Sequence, residues 1–186
     1  MSINHAILGI LSFKPLTGYD LKKIIQDSPF MYWSGNNNQI YKSLLELHDE
    51  GFVTSEVQHQ ESSPSKKIYT ITKEGLAELK EWILASPEPP EFKKTFLIQL
   101  AWADLLSTEE INTLLSDYEN QVKMQILLLK ESARREGFAP DRSSREKKLW
   151  NLIHDNLISS YENELVWVQK ARRELGSNNE KETNRM

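Results

Sequence analysis

Asn37-Asn38-Gln39-Ile40-Tyr41-Lys42-Ser43-Leu44-Leu45-Glu46-Leu47-His48-Asp49-Glu50-Gly51 is the stretch on which the fold turns. Ile40, Leu44 and Leu47 recur at helical spacing and share one face, which predicts an amphipathic helix from about Asn37 to Glu50. Gly51 is placed to take the left-handed conformation that closes such a helix. The opposite face carries Asn38, Lys42 and Asp49, flanked by Tyr41 and Leu45 on one side and by Gln39 and Glu46 on the other. Amide, phenol and ammonium groups fill the first half of this helix, and Glu46, Asp49 and Glu50 crowd the second.

Working outward, Ile3, Ala6, Ile7, Ile10 and Leu11 have a helical spacing. Pro15 interrupts it, and Thr17-Gly18-Tyr19-Asp20 reads as a capping box that opens a second helix through Ile24 and Ile25. After Gly51, Phe52-Val53-Thr54-Ser55-Glu56-Val57 and Lys67-Ile68-Tyr69-Thr70-Ile71 flank a polar loop through Ser62-Ser63-Pro64-Ser65, which predicts a β-hairpin. Thr72 is a good N-cap for a fourth helix ending near Ala85. Three helices, two strands and a helix in this order make a winged helix-turn-helix.

Ser86-Pro87-Glu88-Pro89-Pro90-Glu91 holds three of the seven prolines and reads as an extended linker. Residues 1–85 are therefore expected to form the winged helix, 86–92 the linker, 93–176 a helical dimerisation domain and 177–186 a flexible tail. The expected fold class is mainly α. The second part predicts a helix from about Glu91 to Leu106 and a second one opened by the capping box Ser107-Thr108-Glu109-Glu110, stopping near Gly137. A third long helix carries Trp150, Ile153, Leu157, Tyr161, Leu165, Val168, Ala171 and Leu175 in steps of three and four. Two long helices leave more apolar surface than their one mutual contact covers. The stripe Trp150, Ile153, Leu157, Tyr161, Leu165 and Val168 is thus the expected homodimer interface.

Composition narrows the function. Cysteine is absent, which removes disulfides, thiolate metal sites and a cysteine nucleophile. No basic stretch precedes the first apolar run and no run approaches a membrane span, so the expected setting is cytoplasmic. The sequence has no phosphate-binding glycine loop and no nucleophile elbow. His5, His48, His59 and His154 fall in different elements without i, i+4 pairing. No catalytic residue, cofactor or metal is expected. The formal net charge is −4, and all seven arginines follow residue 130. The first 85 residues carry eight lysines against ten acids, so any nucleic-acid contact must arise from local placement of charge.

The first half of the Asn37–Glu50 helix has that placement. Asn and Gln side chains can donate to and accept from an adenine edge together, and a helix N-terminus favours phosphate. Such a helix can enter a major groove by its start. Lys66 and Lys67 beside the hairpin tip can follow phosphates; lysines that merely guard an edge strand would look the same. A winged-helix module that binds proteins without reading DNA, and a helical dimer that binds ligands, are the alternatives.

These motifs resemble the PadR family of bacterial transcriptional regulators. The matching residues are Ala6-Ile7-Leu8-Gly9-Ile10-Leu11, Leu16-Thr17-Gly18-Tyr19-Asp20-Leu21, Trp33, Gln39-Ile40-Tyr41-Lys42-Ser43-Leu44, Glu50-Gly51-Phe52-Val53 and Lys67-Ile68-Tyr69-Thr70-Ile71-Thr72. The longer subfamily, with phenolic-acid repressors and a virulence activator, is the nearer likeness by chain length, helix pattern and the Pro-linker followed by Phe96. The resemblance implies a homodimeric repressor on a pseudo-palindromic operator, with Tyr19, Gln39, Tyr41, Lys42, Lys66 and Lys67 at or near DNA; Asn37 and Asn38 join them from the helix reading. It also implies release by a small aromatic or apolar effector, with Phe96, Gln99, Leu100, Trp102 and Ala103 on the helix that would line its cavity. Phe96, Leu100 and Ala103 at helical spacing read first as ordinary core residues. Two positions depart from the family: Lys42 stands where members commonly carry proline, and the wing has no arginine.

Overall fold

A computed structural model describes residues 3–31, 38–60, 63–90, 94–134, 140 and 142–183, with backbone alone at 60, 63, 64 and 176–183. Asn37 and Trp33 lie outside the described residues. The chain divides into two compact units, Met1–Pro89 and Pro90–Met186.

The first unit begins with α1 (Ile3–Leu11), whose Ile3, Ile7, Leu8, Ile10 and Leu11 are all buried. A two-residue strand β1 (Leu16–Thr17) leads into α2 (Gly18–Asp27), and α3 (Asn38–Asp49) follows. Strands β2 (Val53–Gln60) and β3 (Ser63–Ile71) form the hairpin, and α4 (Lys73–Leu84) closes the unit. The sheet is antiparallel in the order β1-β3-β2, with Leu16 opposite Tyr69 and Val53 opposite Ile71. The sequence reading had two strands. The third escaped it because two residues are too few to show alternation, and pairing with β3 alone makes them a strand.

Polar side chains set the element ends. Thr17 pairs in the sheet and caps α2 at once: its Oγ1 accepts from the Asp20 N–H (3.1 Å) and donates to Asp20 Oδ2 (2.7 Å). At the end of α3, Gly51 takes φ +76°. Its N–H donates to His48 O (3.0 Å) while the Phe52 N–H donates to Leu47 O (2.9 Å), the Schellman pair that satisfies two terminal carbonyls. Thr72 then ties α4 to this corner. Its backbone N–H donates to Phe52 O (3.0 Å), and its hydroxyl donates to Gly51 O (2.8 Å) while accepting from Gly75 N–H (3.0 Å). Leu21, Ile25, Ile40, Leu44, Leu47, Val53, Tyr69 and Leu79 complete the core with α1. Each fully buried aliphatic side chain stabilises by about 1.5–3 kcal/mol.

The second unit contains α5 (Thr95–Ala101), a 3-10 turn (Ala103–Leu105), α6 (Thr108–Arg134) and α7 (Ser144–Thr183). The first of these is shorter than the helix expected from about Glu91 to Leu106. The capping box of α6 explains the break: Ser107 N–H donates to Glu110 Oε2 (2.8 Å) and Glu110 N–H to Ser107 Oγ (3.3 Å), and Leu106 before it is extended at ψ 149°. At the other end α7 runs to Thr183, past the boundary at 177 where a flexible tail was expected. Gly176 costs helix stability but, with no proline after it, does not forbid continuation.

Helices α6 and α7 pack antiparallel, with Phe96, Leu115 and Val168 fully inside and Leu100, Ile111, Leu114, Tyr118, Leu165 and Ala171 around them. Phe96 stacks on Tyr118 at 3.6 Å between centroids and meets Trp167 edge-on at 6.2 Å. Three polar ties cross between the helices. Glu119, buried on α6, holds Lys123 of its own helix (2.6 Å) and both Gln169 (3.2 Å) and Arg172 of α7. Glu164 accepts from the Tyr118 hydroxyl (2.8 Å) and pairs with Lys94, and Lys130 pairs with Glu162 (2.8 Å). Burial and the bond to Glu164 push the Tyr118 phenol up.

This packing corrects the expected dimer stripe at one residue. Val168 is fully buried within its own chain against Phe96 and Leu115, and so is closed to a partner. Trp150, Ile153, Leu157, Tyr161 and Leu165 are half-buried. The apolar side chains left out in solvent include Met124, Leu127 and Leu128 on α6 and Leu149, Leu152, Val166, Trp167 and Leu175 on α7.

Two outcomes test the account. A Cβ at Gly75 would stand 2.2 Å from Phe52 O, whereas one at Gly9 meets nothing within 4 Å. Gly75→Ala is expected to cost about 1–3 kcal/mol or more and Gly9→Ala to gain about 0.5–1 kcal/mol in urea unfolding. The second concerns acid. Lys123 first, then Arg172 and Gln169, hold the Glu119 carboxyl down to about 2 against its ordinary 4.5. The resulting stability is present above the ordinary value and is lost as pH falls from there through about 2. Glu119→Gln should lower stability at neutral pH by about 2 kcal/mol and flatten its pH dependence in that window, read by denaturation at each pH.

Candidate nucleic-acid interface

The interface is built on the face of α3 turned from the core. Ile40, Ser43, Leu44 and Leu47 are buried against α1, α2 and β2, which forces the remaining positions outward. Asn38, Gln39, Tyr41 and Lys42 are all exposed on the first turn and a half. Lys42 has 77% of its side chain in solvent and lies 3.7 Å from Glu46, its i+4 neighbour. With the cation N-terminal to the acid this pair is the weaker orientation, contributing at most a few tenths of a kcal/mol, so Lys42 remains available.

The start of α2 lies against α3. A Cβ at Gly18 would stand 2.7 Å from Tyr41 Cε1, so the Tyr41 ring crosses the α2 N-terminus where only glycine leaves room. Tyr19, next along, is 68% exposed. Tyr19 and Tyr41 are thus both exposed, one beside Gly18 in the chain and the other packed against it. In the wing, Lys66 stands opposite Gln58 and Lys67 opposite Val57, both lysines exposed. The Lys67 ammonium lies 5.3 Å over the ring of the buried Tyr69, which draws it toward the body of the sheet. His59 of β2, which the sequence reading passed over except as a metal ligand, bonds Ser65 across the hairpin (Nδ1 to Oγ, 3.0 Å). Strand register, invisible in the linear sequence, is the signal that marks it.

The effector candidates differ in burial. Phe96 and Ala103 are buried and Leu100 half-buried, with Phe96 and Leu100 in the α6–α7 core. Gln99 and Trp102 are exposed, Trp102 at 70%. Phe96 therefore acts as a packing residue, and no free aromatic wall is formed by this set within the second unit. An open groove in that unit is lined instead by Ser107, Glu109, Glu110, Thr113, Leu114 and Asp117. The Ser107 N–H holds the Glu110 carboxyl below its ordinary range. Among the described residues no three His, Asp or Glu side chains converge as a metal site, and no helix is long and apolar enough to cross a membrane.

Residues 7–81 match the model of the transcriptional regulator PadR-like family, and residues 92–176 match that of the virulence activator α C-terminal domain. The first unit is thus PadR-like, and the second resembles the virulence activator C-terminal domain. It is 34% identical over 116 residues to the negative transcriptional regulator PadR of Bacillus subtilis, a stretch covering 62% of this chain and 64% of that protein. The solved structure of Bacillus subtilis PadR in complex with operator DNA is similar with a TM-score of 0.80 at 28% identity, over 92% of this chain and 98% of that one. The same protein in complex with p-coumaric acid is similar with a TM-score of 0.76 at 27% identity, over 94% and 98%. A PadR-like winged helix with a helical C-terminal unit is thus the architecture of this chain.

The contact at Gly18 has a measurable consequence. Gly18→Ala should displace the Tyr41 ring, seen as a change in its ring-proton chemical shifts, at a cost of about 1–3 kcal/mol in unfolding. Unchanged Tyr41 resonances would mean that the ring does not rest on the start of α2.

Proposed function

We propose that this PadR-like chain acts in the cytoplasm as a homodimeric transcriptional repressor that reads a pseudo-palindromic operator and is released by a small aromatic or apolar molecule. The observation that carries the reading is the exposed start of α3, with the amides of Asn38 and Gln39, Tyr41 and Lys42 all in solvent and Tyr41 against the start of α2. Amides can pair with base edges, and Lys42, Lys66 and Lys67 neutralise phosphates. The operator complex of Bacillus subtilis PadR supports carrying DNA binding to this chain, and its p-coumaric acid complex supports an effector of that chemical class.

Dimerisation follows from the apolar surface of the second unit. Met124, Leu127, Leu128, Leu149, Leu152 and Val166 are exposed on α6 and α7, and covering such side chains with a second copy is the common solution for a symmetric regulator. The half-buried stripe from Trp150 to Leu165 contributes its outer edge. Two recognition helices about one DNA turn apart, roughly 34–36 Å, would meet successive major grooves. An effector shifts this arrangement only by the difference in its affinity for the bound and released states.

Gel shifts with the DNA upstream of the chain's own gene, repeated across a salt series, test the reading. Lys42→Ala is expected to weaken all fragments alike and to reduce the salt slope by about 1 per helix. Asn38→Ala is expected to relax base preference by about 1–3 kcal/mol at one position of each half-site. A flat salt response with no preferred fragment favours a winged-helix module that binds protein, and a solution mass of one copy overturns the dimer.

A further inference from the structure

We propose that His59 is an additional DNA contact of the wing, in which the protonated imidazole engages a phosphate oxygen through Nε2. The inference rests on the DNA-binding reading above and goes beyond it, since the sequence pointed only to the two lysines. His59 is exposed near the end of β2, and its Nδ1 lies 3.0 Å from Ser65 Oγ on β3. The ladder is irregular here: Gln58 faces Lys66 and Gln60 faces Ser63, so residues 64 and 65 together stand against His59. Such bulges re-aim a side chain. With Nδ1 turned to the Ser65 hydroxyl, no described residue engages Nε2.

The ring keeps this orientation in both protonation states, because a serine oxygen can either donate to a bare Nδ1 or accept from Nδ1–H. Position 59 continues the face of β2 that carries Ser55 and Val57, and across the hairpin that face carries Tyr69 and Lys67. Lys67 is folded back on the Tyr69 ring. His59 is therefore the described cationic group nearest the hairpin end on that face, with Lys66 on the other. The charged groups around it are Lys66 and Lys67 from β3, Glu56 on the opposite face of β2, and Glu61 two residues on in the sequence. A phosphate oxygen at Nε2 favours the protonated imidazole. DNA binding is then linked to proton uptake, in the range of about pH 5 to 8 where imidazole changes charge.

The experiment measures affinity for the upstream fragment at pH 5.8 and pH 8.0 (about two units apart, spanning the imidazole range), each across a salt series. The wild-type chain should bind more tightly at the lower pH, by about eightfold per wing at 0.1 M salt, with a salt slope steeper by about 0.9 per wing. His59→Gln should show the weaker, shallower response at both pH values, and His59→Lys the tighter, steeper one at both. His48→Gln, at the far end of α3 beside Asp49, should keep the wild-type pH response. If His59→Gln keeps that response, or if affinity changes with pH while the salt slope does not, the phosphate contact at His59 is overturned and the DNA-binding reading stands. If the wild type binds no fragment at either pH, both fall together.

Discussion

Helix α3 can offer its polar face to a ligand only because its other face has nowhere else to go. Leu44 and Leu47 are sunk against α1, α2 and β2 with almost no exposed surface. Rotating the helix by even one residue would bring Tyr41 or Leu45 inward and lift those leucines into water, at about 1.5–3 kcal/mol each. The hydrophobic stripe therefore sets the azimuth of Asn38, Gln39 and Lys42 more firmly than any polar contact they make. Gly18 refines it, since its missing Cβ is what lets the Tyr41 ring lie across α2.

The wing is tied to the same helix through one carbonyl. Phe52 O accepts from the backbone N–H of Thr72 and also from its hydroxyl (3.1 Å), and its closeness leaves no room for a Cβ at Gly75. The end of α3, the start of β2 and the start of α4 are joined at that point. Helix α3 and the hairpin thus keep a fixed spacing without a large interface between them, and a chain of net negative charge can still present its lysines as a local set.

In the second unit apolar packing brings α5, α6 and α7 together, and a buried carboxylate, Glu119, and a half-buried one, Glu164, select their register. Glu119 and Glu164 each collect partners from more than one element. Breaking one such tie leaves a charge in a dry place, and a slipped helix pair would break several at once. The same packing decides which apolar residues remain outside.

The order of elements in the winged unit was legible in the sequence because each signal is local: Ile40, Leu44 and Leu47 at helical spacing, Gly51 as a terminator, Thr17, Thr72 and Ser107 as caps. The exposed residues of α3 followed from the same periodicity. What periodicity could not separate was an apolar stripe that seals its own chain from one left for a partner, so Val168 was expected at a dimer interface and is instead internal. Nor could it show that the ring of Phe96, on the helix expected beside an effector cavity, stacks on Tyr118. The β1 strand and the His59–Ser65 bridge were hidden for a related reason, since both exist only through pairing with β3. Spacing along one helix or strand is a property of neighbours in the chain; which face meets which, and which side chains cross a ladder, depends on residues dozens of positions away and is decided only when the elements pack.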